Sequence, residues 1–413
     1  MQAEIITIGD ELLIGQVIDT NSVWLGQLLF KNNISVFKKT AIKDLESEIV
    51  AQLDLSLAQS DFIVITGGLG PTKDDITKIT LAKYFKMGWR VDVDVLKQLE
   101  TFFADRGRVM MEANKMQAEL PSGCETLGNE WGTAPGMLFR VGEKIIVSLP
   151  GVPFEMKNIF EQKVMPIILE HFELPKLHYK TLVTFNIPES LLAKQIEDIE
   201  NDLPQNIGLA YLPNFNIVRL RLTGKEEHGV NIEQQIDGFA KRLTERIGDA
   251  VLAETDQSLV EIAADLLKLK NKTLSIAESC TGGYLSHIIT SLSGSSSFFV
   301  GSVISYSNSV KHHQLGVEST LFETVGPVSE PVVEQMCSGV RERLQTDYAI
   351  AISGIAGPDG GSAEKPVGTV VIGISNSEQH FVKKYYFIGD RSGVISRASN
   401  MAMFLLIQEL KKI

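Results

Sequence analysis

Apolar runs and amphipathic stretches alternate along the first part of the chain. AEIITIG (3–9) carries almost no polar side chain and predicts a buried strand, whereas LLIGQVIDTNSVWLGQLLFKNN (12–33) gathers its polar residues on one face of a helix. FIVITGG (62–68) predicts a second buried strand with a helix over residues 75–86 behind it. KIIVSLPGVP (144–153) gives a third strand and turn before the apolar-periodic EMKNIFEQKVMPIILEHF (155–172). Strands apolar on both faces, alternating with helices, predict a mostly parallel sheet with helices on either side.

Near LPK (174–176) the units become shorter: a strand at KTLVTFN, a helix from about Glu189 to Glu200, a strand at NIVRLRLTG and a helix at IEQQIDGFAKRLTERIG. TDQS (255–258) then caps a new helix, LVEIAADLLKLK, that opens a last segment running to Ile413. The expected fold class is α/β and multidomain. Two three-layer α/β domains with mostly parallel sheets, residues 1–174 and 255–413, are joined by a small KH-like α/β module over 175–254. KH domains grip RNA through a GxxG loop, which residues 176–254 lack, so this module is expected to be a spacer or dimerisation element.

Size and charge narrow the function classes. A chain of 413 residues with 44% hydrophobic content is too long for one ordinary domain and rich enough to bury several cores. Its net charge of −12, from 39 Lys and Arg against 51 Asp and Glu, argues against a nucleic-acid scaffold or a binder of anionic membranes. Its three cysteines, 124, 280 and 337, form no CxxC pair, which argues against a disulfide framework or cysteine-held zinc and fits a reducing cytosol. MQAEIITIGDELL has no signal-peptide character and no apolar run reaches membrane-spanning length, so a soluble cytoplasmic protein is expected.

Two stretches in the first domain, IGDELLIG (8–15) and TGGLGPTKDDIT (66–77), each follow a buried strand, where open parallel sheets hold ligands. Gly67, Gly68 and Gly70 let backbone approach an anion closely, and Thr72 offers a hydroxyl. Asp10, Glu11, Asp74 and Asp75 could hold a divalent cation between phosphate oxygens. The stretch is neither a Walker A loop nor a GxGxxG fingerprint. Taken singly, each piece reads equally as turn glycines and helix capping; together, at two strand ends, they favour a site.

GDELLIG, Asn21 and GGLGPTKDDIT resemble the molybdopterin-binding fold. With GNEWGTAPGM (128–137) and LPGVPFEM (149–156) they are similar to the competence/damage-inducible CinA family. The resemblance implies a metal-dependent ADP-ribose pyrophosphatase using magnesium or a similar cation. It implies substrate contacts at Asp10, Asn21, Gly68, Gly70, Thr72 and Asp74, with Glu11 and Asp75 on the metal.

In the last segment, SIAESCTGG (275–283) sets Ser279, Cys280 and Thr281 side by side at a strand–turn–helix junction, where backbone N–H groups can stabilise an anion. VISYSNSVK (303–311), ISGIAGPDGG (352–361), KPVGTV (365–370) and GDRSG (389–393) add further polar strand ends. A cysteine nucleophile would need a base such as His, and the nearby pair His312–His313 sits in a polar stretch without a motif. The alternative is serine activated by Lys311. That requires a neutral amine, and bringing a pKa of about 10.4 to roughly 7 takes about 4 kcal/mol, which burial and a second cation such as Arg391 can supply.

AESCTGG, YSNSVK, GIAGPDGG and KPVGTV resemble the C-terminal domain of the CinA family, also found as a free-standing nicotinamide-nucleotide amidase. The resemblance implies hydrolysis of nicotinamide mononucleotide to nicotinate mononucleotide and ammonia without a cofactor. Ser279 would be the nucleophile and Lys311 its base, with Tyr306, Ser296 and Ser353 orienting them or relaying a proton. Backbone N–H groups from Cys280 to Gly283, including Gly282 and Gly283, are the candidate oxyanion hole. Arg391 and the 354–361 loop, with Gly354 and Gly357, would hold the nucleotide. The family also implies a homodimer. The competing expectation is a non-catalytic nucleotide- or molybdopterin-binding accessory linked to competence.

Overall fold

In the computed structural model, which describes residues 1–72, 75–226 and 231–412, the chain forms two compact units, Met1–Leu177 and His178–Ile413. The first is built on a six-stranded sheet whose order is Ser35–Ile42, Gln2–Ile8, Phe62–Thr66, Lys144–Leu149, Gly136–Val141 and Glu125–Leu127. The first four are parallel and the last two antiparallel. Alternate residues serve opposite faces. Ile5, Val64 and Val147 pack with Leu25, Leu29 and Ile159 on one side, while Ile6, Ile65 and Ile146 pack with Leu53, Leu81 and Leu99 on the other. This is why the strands read as continuous apolar runs.

Two expected helices are interrupted. Segment 12–33 splits into Asp10–Leu13 and Thr20–Lys31, because Gly15 turns the backbone through φ +71° and the Asp19 side chain accepts from Ser22 N–H to start the second helix. Segment 155–172 carries a π turn, Phe160–Val164, between helices Pro153–Ile159 and Met165–His171. Pro166 has no N–H to offer the preceding turn, and the wider turn absorbs that loss.

The second unit holds two sheets. The smaller is four-stranded, ordered Ile207–Asn214, Ile217–Lys225, Leu177–Phe185 and Val251–Ala253, with helices Glu189–Asn201 and Ile232–Ile247 packed on one face. Its edge strand, Ile207–Asn214, has no clear sequence signal, since Gly208 and Pro213 interrupt the alternation. An edge tolerates that proline, and the antiparallel partner follows through a tight turn with Asn216 at φ +57°. The opposite face is no free spacer surface. Val183, Phe185, Ile217 and Leu252 share a core with helices Leu259–Leu269 and Arg391–Lys411, and the Phe185 and Phe404 rings stack at 4.4 Å.

The larger sheet is five-stranded, ordered Phe299–Ile304, Leu274–Glu278, Tyr348–Gly354, Thr369–Ser375 and His380–Tyr386, the first three parallel. Helices Leu259–Leu269 and Arg391–Lys411 cover one face and Glu330–Leu344 the other, giving three layers again. Each three-layer sheet sets its first strand between its second and third. The chain therefore leaves to opposite sides and opens a crevice at the carboxyl ends of those strands. Among the described residues no helix is long and apolar enough to cross a membrane.

Candidate active site

The buried strand Leu274–Glu278 ends in a turn, Ser279–Gly283, that leads into helix Tyr284–Thr290. Gly282 at φ +59° and Gly283 at φ +98° adopt conformations that side chains disfavour, so the turn is tight. The anion at this helix start is internal: the fully buried Glu278 carboxylate accepts from Gly283 N–H (3.0 Å), Leu285 N–H (3.2 Å) and Ser286 N–H (2.8 Å). This corrects the expectation for Gly282 and Gly283. Gly282 N–H donates to Ser279 O at 3.1 Å, Gly283 N–H is held by Glu278, and neither residue lines the cleft described below. Among the described residues, only Cys280 and Thr281 in that stretch keep N–H groups with no protein acceptor.

Lys311 lies on helix Asn308–Leu315, which Ser307 caps, and is 2% exposed. Its Nζ stands 3.1 Å from Ser279 Oγ and donates to Ser305 O at 2.8 Å and Tyr306 O at 3.3 Å. Burial lowers its pKa from 10.5 to about 8. A neutral amine has two N–H groups and one lone pair. The two carbonyls occupy the N–H groups, which leaves the lone pair for the serine hydroxyl. Burial, rather than the expected second cation, causes this shift; Arg391 donates to Gly357 O at 2.7 Å and Tyr306 Oη at 3.3 Å.

The other two candidates in the triplet lack a base. Burial pushes the Cys280 thiol up to about 12, so it stays protonated at neutral pH. Thr281 Oγ1 is buried and has no partner among the described residues. His312 and His313 are exposed, and their Nδ1 atoms meet Val317 O and Ser309 O at 2.8 Å.

Ser279 and Lys311 open onto a cleft of about 260 Å³. Tyr306, Ser353, Gly354, Gly357 and Arg391 line it too, as do Asn308 and Asp359. Ser353 Oγ donates to Pro327 O at 2.8 Å rather than to Ser279 or Lys311. At Gly354 an added Cβ would fall 2.7 Å from Val370 and 3.0 Å from Cys280 Sγ, so only glycine fits that wall. Ser296 is exposed on the turn Ser295–Ser297, outside the cleft. Neither Asn308 nor Asp359 stands out in the sequence, since one polar residue in a turn-rich stretch carries no signal of its own.

In the first unit the glycine-rich residues and acids gather at strand ends as well. Asp10 and Glu11 are exposed on the short helix after Gly9. Asn21 is buried and donates to Gly151 O (2.8 Å) and Thr66 Oγ1 (3.2 Å), while its Oδ1 has no partner among the described residues. Gly68 at φ +66° leaves only 2.1 Å between an added Cβ and Thr77 Oγ1, and at Gly70 the Asp75 carboxylate would lie 2.4 Å from one. Thr72 donates to Asp75 through its N–H (3.0 Å) and its hydroxyl. Asp74 lies outside the described residues. Asp44, which sequence reasoning missed, completes the group: burial raises its pKa, and so do the charges of Glu11, Asp10 and Asp75. Hard oxygen donors of this kind suit a divalent cation in type. Among the described residues, however, no three His, Cys, Asp or Glu side chains converge to hold one.

Three known families match the chain in succession. They are a probable molybdopterin binding domain over residues 4–170, the damage-inducible protein CinA KH domain over 179–253 and the CinA C-terminal domain over 256–410. A CinA-like protein of Flavobacterium psychrophilum is 41% identical over 417 residues, covering 100% of this chain and 99% of that one. One from Cytophaga hutchinsonii is 41% identical across 100% of this chain and 98% of its own. A third, from Salinibacter ruber, is 37% identical over 95% of each. Domain order and end-to-end likeness together establish that the chain belongs to the CinA family.

Proposed function

We propose that the second unit is a serine–lysine amidase that converts nicotinamide mononucleotide to nicotinate mononucleotide and ammonia. The observation that carries this reading is the buried Lys311 amine, 3.1 Å from Ser279 Oγ with both its N–H groups engaged. Lys311 takes the hydroxyl proton as Oγ attacks the carboxamide carbon. The resulting oxyanion is met by the N–H group of Cys280, the one residue of the turn after Ser279 that lines the cleft. The Lys311 ammonium then protonates the departing nitrogen, which leaves as ammonia. Water hydrolyses the ester, giving its proton to Lys311, and Oγ recovers its own. Arg391 supplies a cation for the nucleotide phosphate.

For the first unit the proposal is hydrolysis of the ADP-ribose pyrophosphate. Glu11 and Asp75 would hold a divalent cation, which when bound neutralises charge on phosphate oxygens. Asp10, Asn21, Gly68, Gly70 and Thr72 would contact substrate. The proposal includes a cytoplasmic homodimer acting on small nucleotides, and sedimentation of the purified chain tests the assembly.

Ammonia release from nicotinamide mononucleotide by wild type and by Ser279→Ala tests the amidase. Equal rates would remove the nucleophile. Calorimetric binding without product over hours would favour a non-catalytic accessory.

A further inference from the structure

Beside the glycine-rich loop of the first unit lies a second cleft, of about 200 Å³. Trp89, Ile79 and Met116 line it, and each is unusually exposed for its size, Trp89 at 48%. Gln117, also in the lining, is only 2% exposed, and its Nε2 finds no acceptor among the described residues. A buried amide without a partner is costly, and such groups are normally satisfied by protein, water or ligand. Trp89 begins the short strand Trp89–Val91, paired antiparallel with Glu119–Pro121, so its ring is anchored on a two-stranded floor rather than a loose loop.

The charges choose between occupants. Lys78 donates to Met116 O at 2.8 Å, and the lining carries the carboxylates of Asp75 and Glu119 against that one cation. Such a balance does not favour a phosphate inside the cleft. A flat wall of tryptophan with apolar neighbours and one orphaned donor suits an uncharged planar ring bearing a hydrogen-bond acceptor. Gly70 and Thr72, also in the lining, belong to the glycine-rich loop.

We propose that this cleft is a base-binding subsite. It stacks the heterocycle of a nucleotide on Trp89 and reads one acceptor atom with Gln117, while the phosphates leave the cleft along the glycine-rich loop toward Gly68. The inference rests on the nucleotide reading of the first unit and adds how that unit tells a nucleotide from bare pyrophosphate.

Calorimetry on the full chain with ADP-ribose and with inorganic pyrophosphate tests it, using wild type, Trp89→Ala, Trp89→Phe and Gln117→Leu. Base–aromatic stacking predicts that Trp89→Ala weakens ADP-ribose binding about tenfold or more and that Trp89→Phe largely restores it. Gln117→Leu is expected to cost about fivefold. Pyrophosphate affinity stays unchanged in all three. ADP-ribose affinity unaltered in Trp89→Ala and Gln117→Leu overturns the subsite and leaves the nucleotide reading standing. Wild type that binds no ADP-ribose overturns the nucleotide reading. Adenosine then decides the subsite alone: tryptophan quenching that is lost in Trp89→Ala keeps it, and no quenching ends it. Thermal melts confirm that each variant is folded.

Discussion

The two three-layer sheets share one plan and put opposite chemistry on it. Each holds its first strand between its second and third, and each collects polar side chains at the carboxyl ends of those strands. In the first unit these are carboxylates, with Asp10 and Glu11 open to water and Asp44 raised by burial and then by the charges of its acidic neighbours. In the second they are a hydroxyl and an amine, both buried, the amine having lost much of its basicity to burial. The plan supplies a crevice. Depth of burial at the strand ends decides whether that crevice keeps charge on display or makes an amine easier to deprotonate.

The sharpest way to break this comparison is to remove the buried pair. Ser279→Ala and Lys311→Met should each lower ammonia release about 1000-fold or more, while binding nicotinamide mononucleotide as wild type does. Activity within tenfold of wild type in either would mean that the second crevice works some other way. Glu278→Gln comes next. It weakens several hydrogen bonds to a buried carboxylate, each worth about 1.5–3 kcal/mol, so the melting temperature should fall and kcat drop about tenfold to a hundredfold. A full-rate, fully stable variant would show that the turn holds itself.

The pH dependence of kcat/KM tests burial directly. Only neutral Lys311 can take a proton, and its pKa is lowered to about 8, so the rate should climb about tenfold per pH unit below 8 and level off above it. A profile flat from pH 6 to 9 would contradict the depressed amine. Asp44→Asn probes the other crevice more gently. A carboxyl whose pKa is raised on folding weakens the fold once both states are ionised. The variant should therefore be slightly more stable than wild type at pH 7 and equal to it in acid below the ordinary carboxylate range, as followed by chemical denaturation. Cys280→Ala should change ammonia release least, within about threefold, because the thiol is protonated; a hundredfold loss would reopen a cysteine mechanism.

Periodicity made the sheets legible. AEIITIG and FIVITGG are largely apolar because both faces are covered, and each ends in glycines where the chain must turn. Other features depend on distance in space, which spacing along the chain does not encode. Glu278 looks like the last residue of a strand, yet its carboxylate caps a helix five to eight residues later, unlike the local Ser258–Glu261 capping box. Lys311 sits among Ser, Asn and His and looks solvated; only the packing of helix Asn308–Leu315 against the serine turn buries it. Asp44 follows an amphipathic strand with no glycine signature and joins the acids only through the sheet order.

One detail of the larger sheet has a practical consequence. Glu278 pairs with Ile304 in the ladder, and Ser305 N–H donates to Glu278 O at 2.7 Å, so Ser279 and the start of the segment that carries Lys311 on helix Asn308–Leu315 leave two locked neighbouring strands side by side. Their gap is gauged by main-chain pairing, and a slip of one residue would displace one against the other by about 3.3 Å. The wall facing them comes from elsewhere, from residues 354–360 and Arg391. On the proposed amidase reading, an engineer seeking a new amide substrate could therefore rewrite that wall, keeping Gly354, while the spacing of Ser279 and Lys311 stays calibrated.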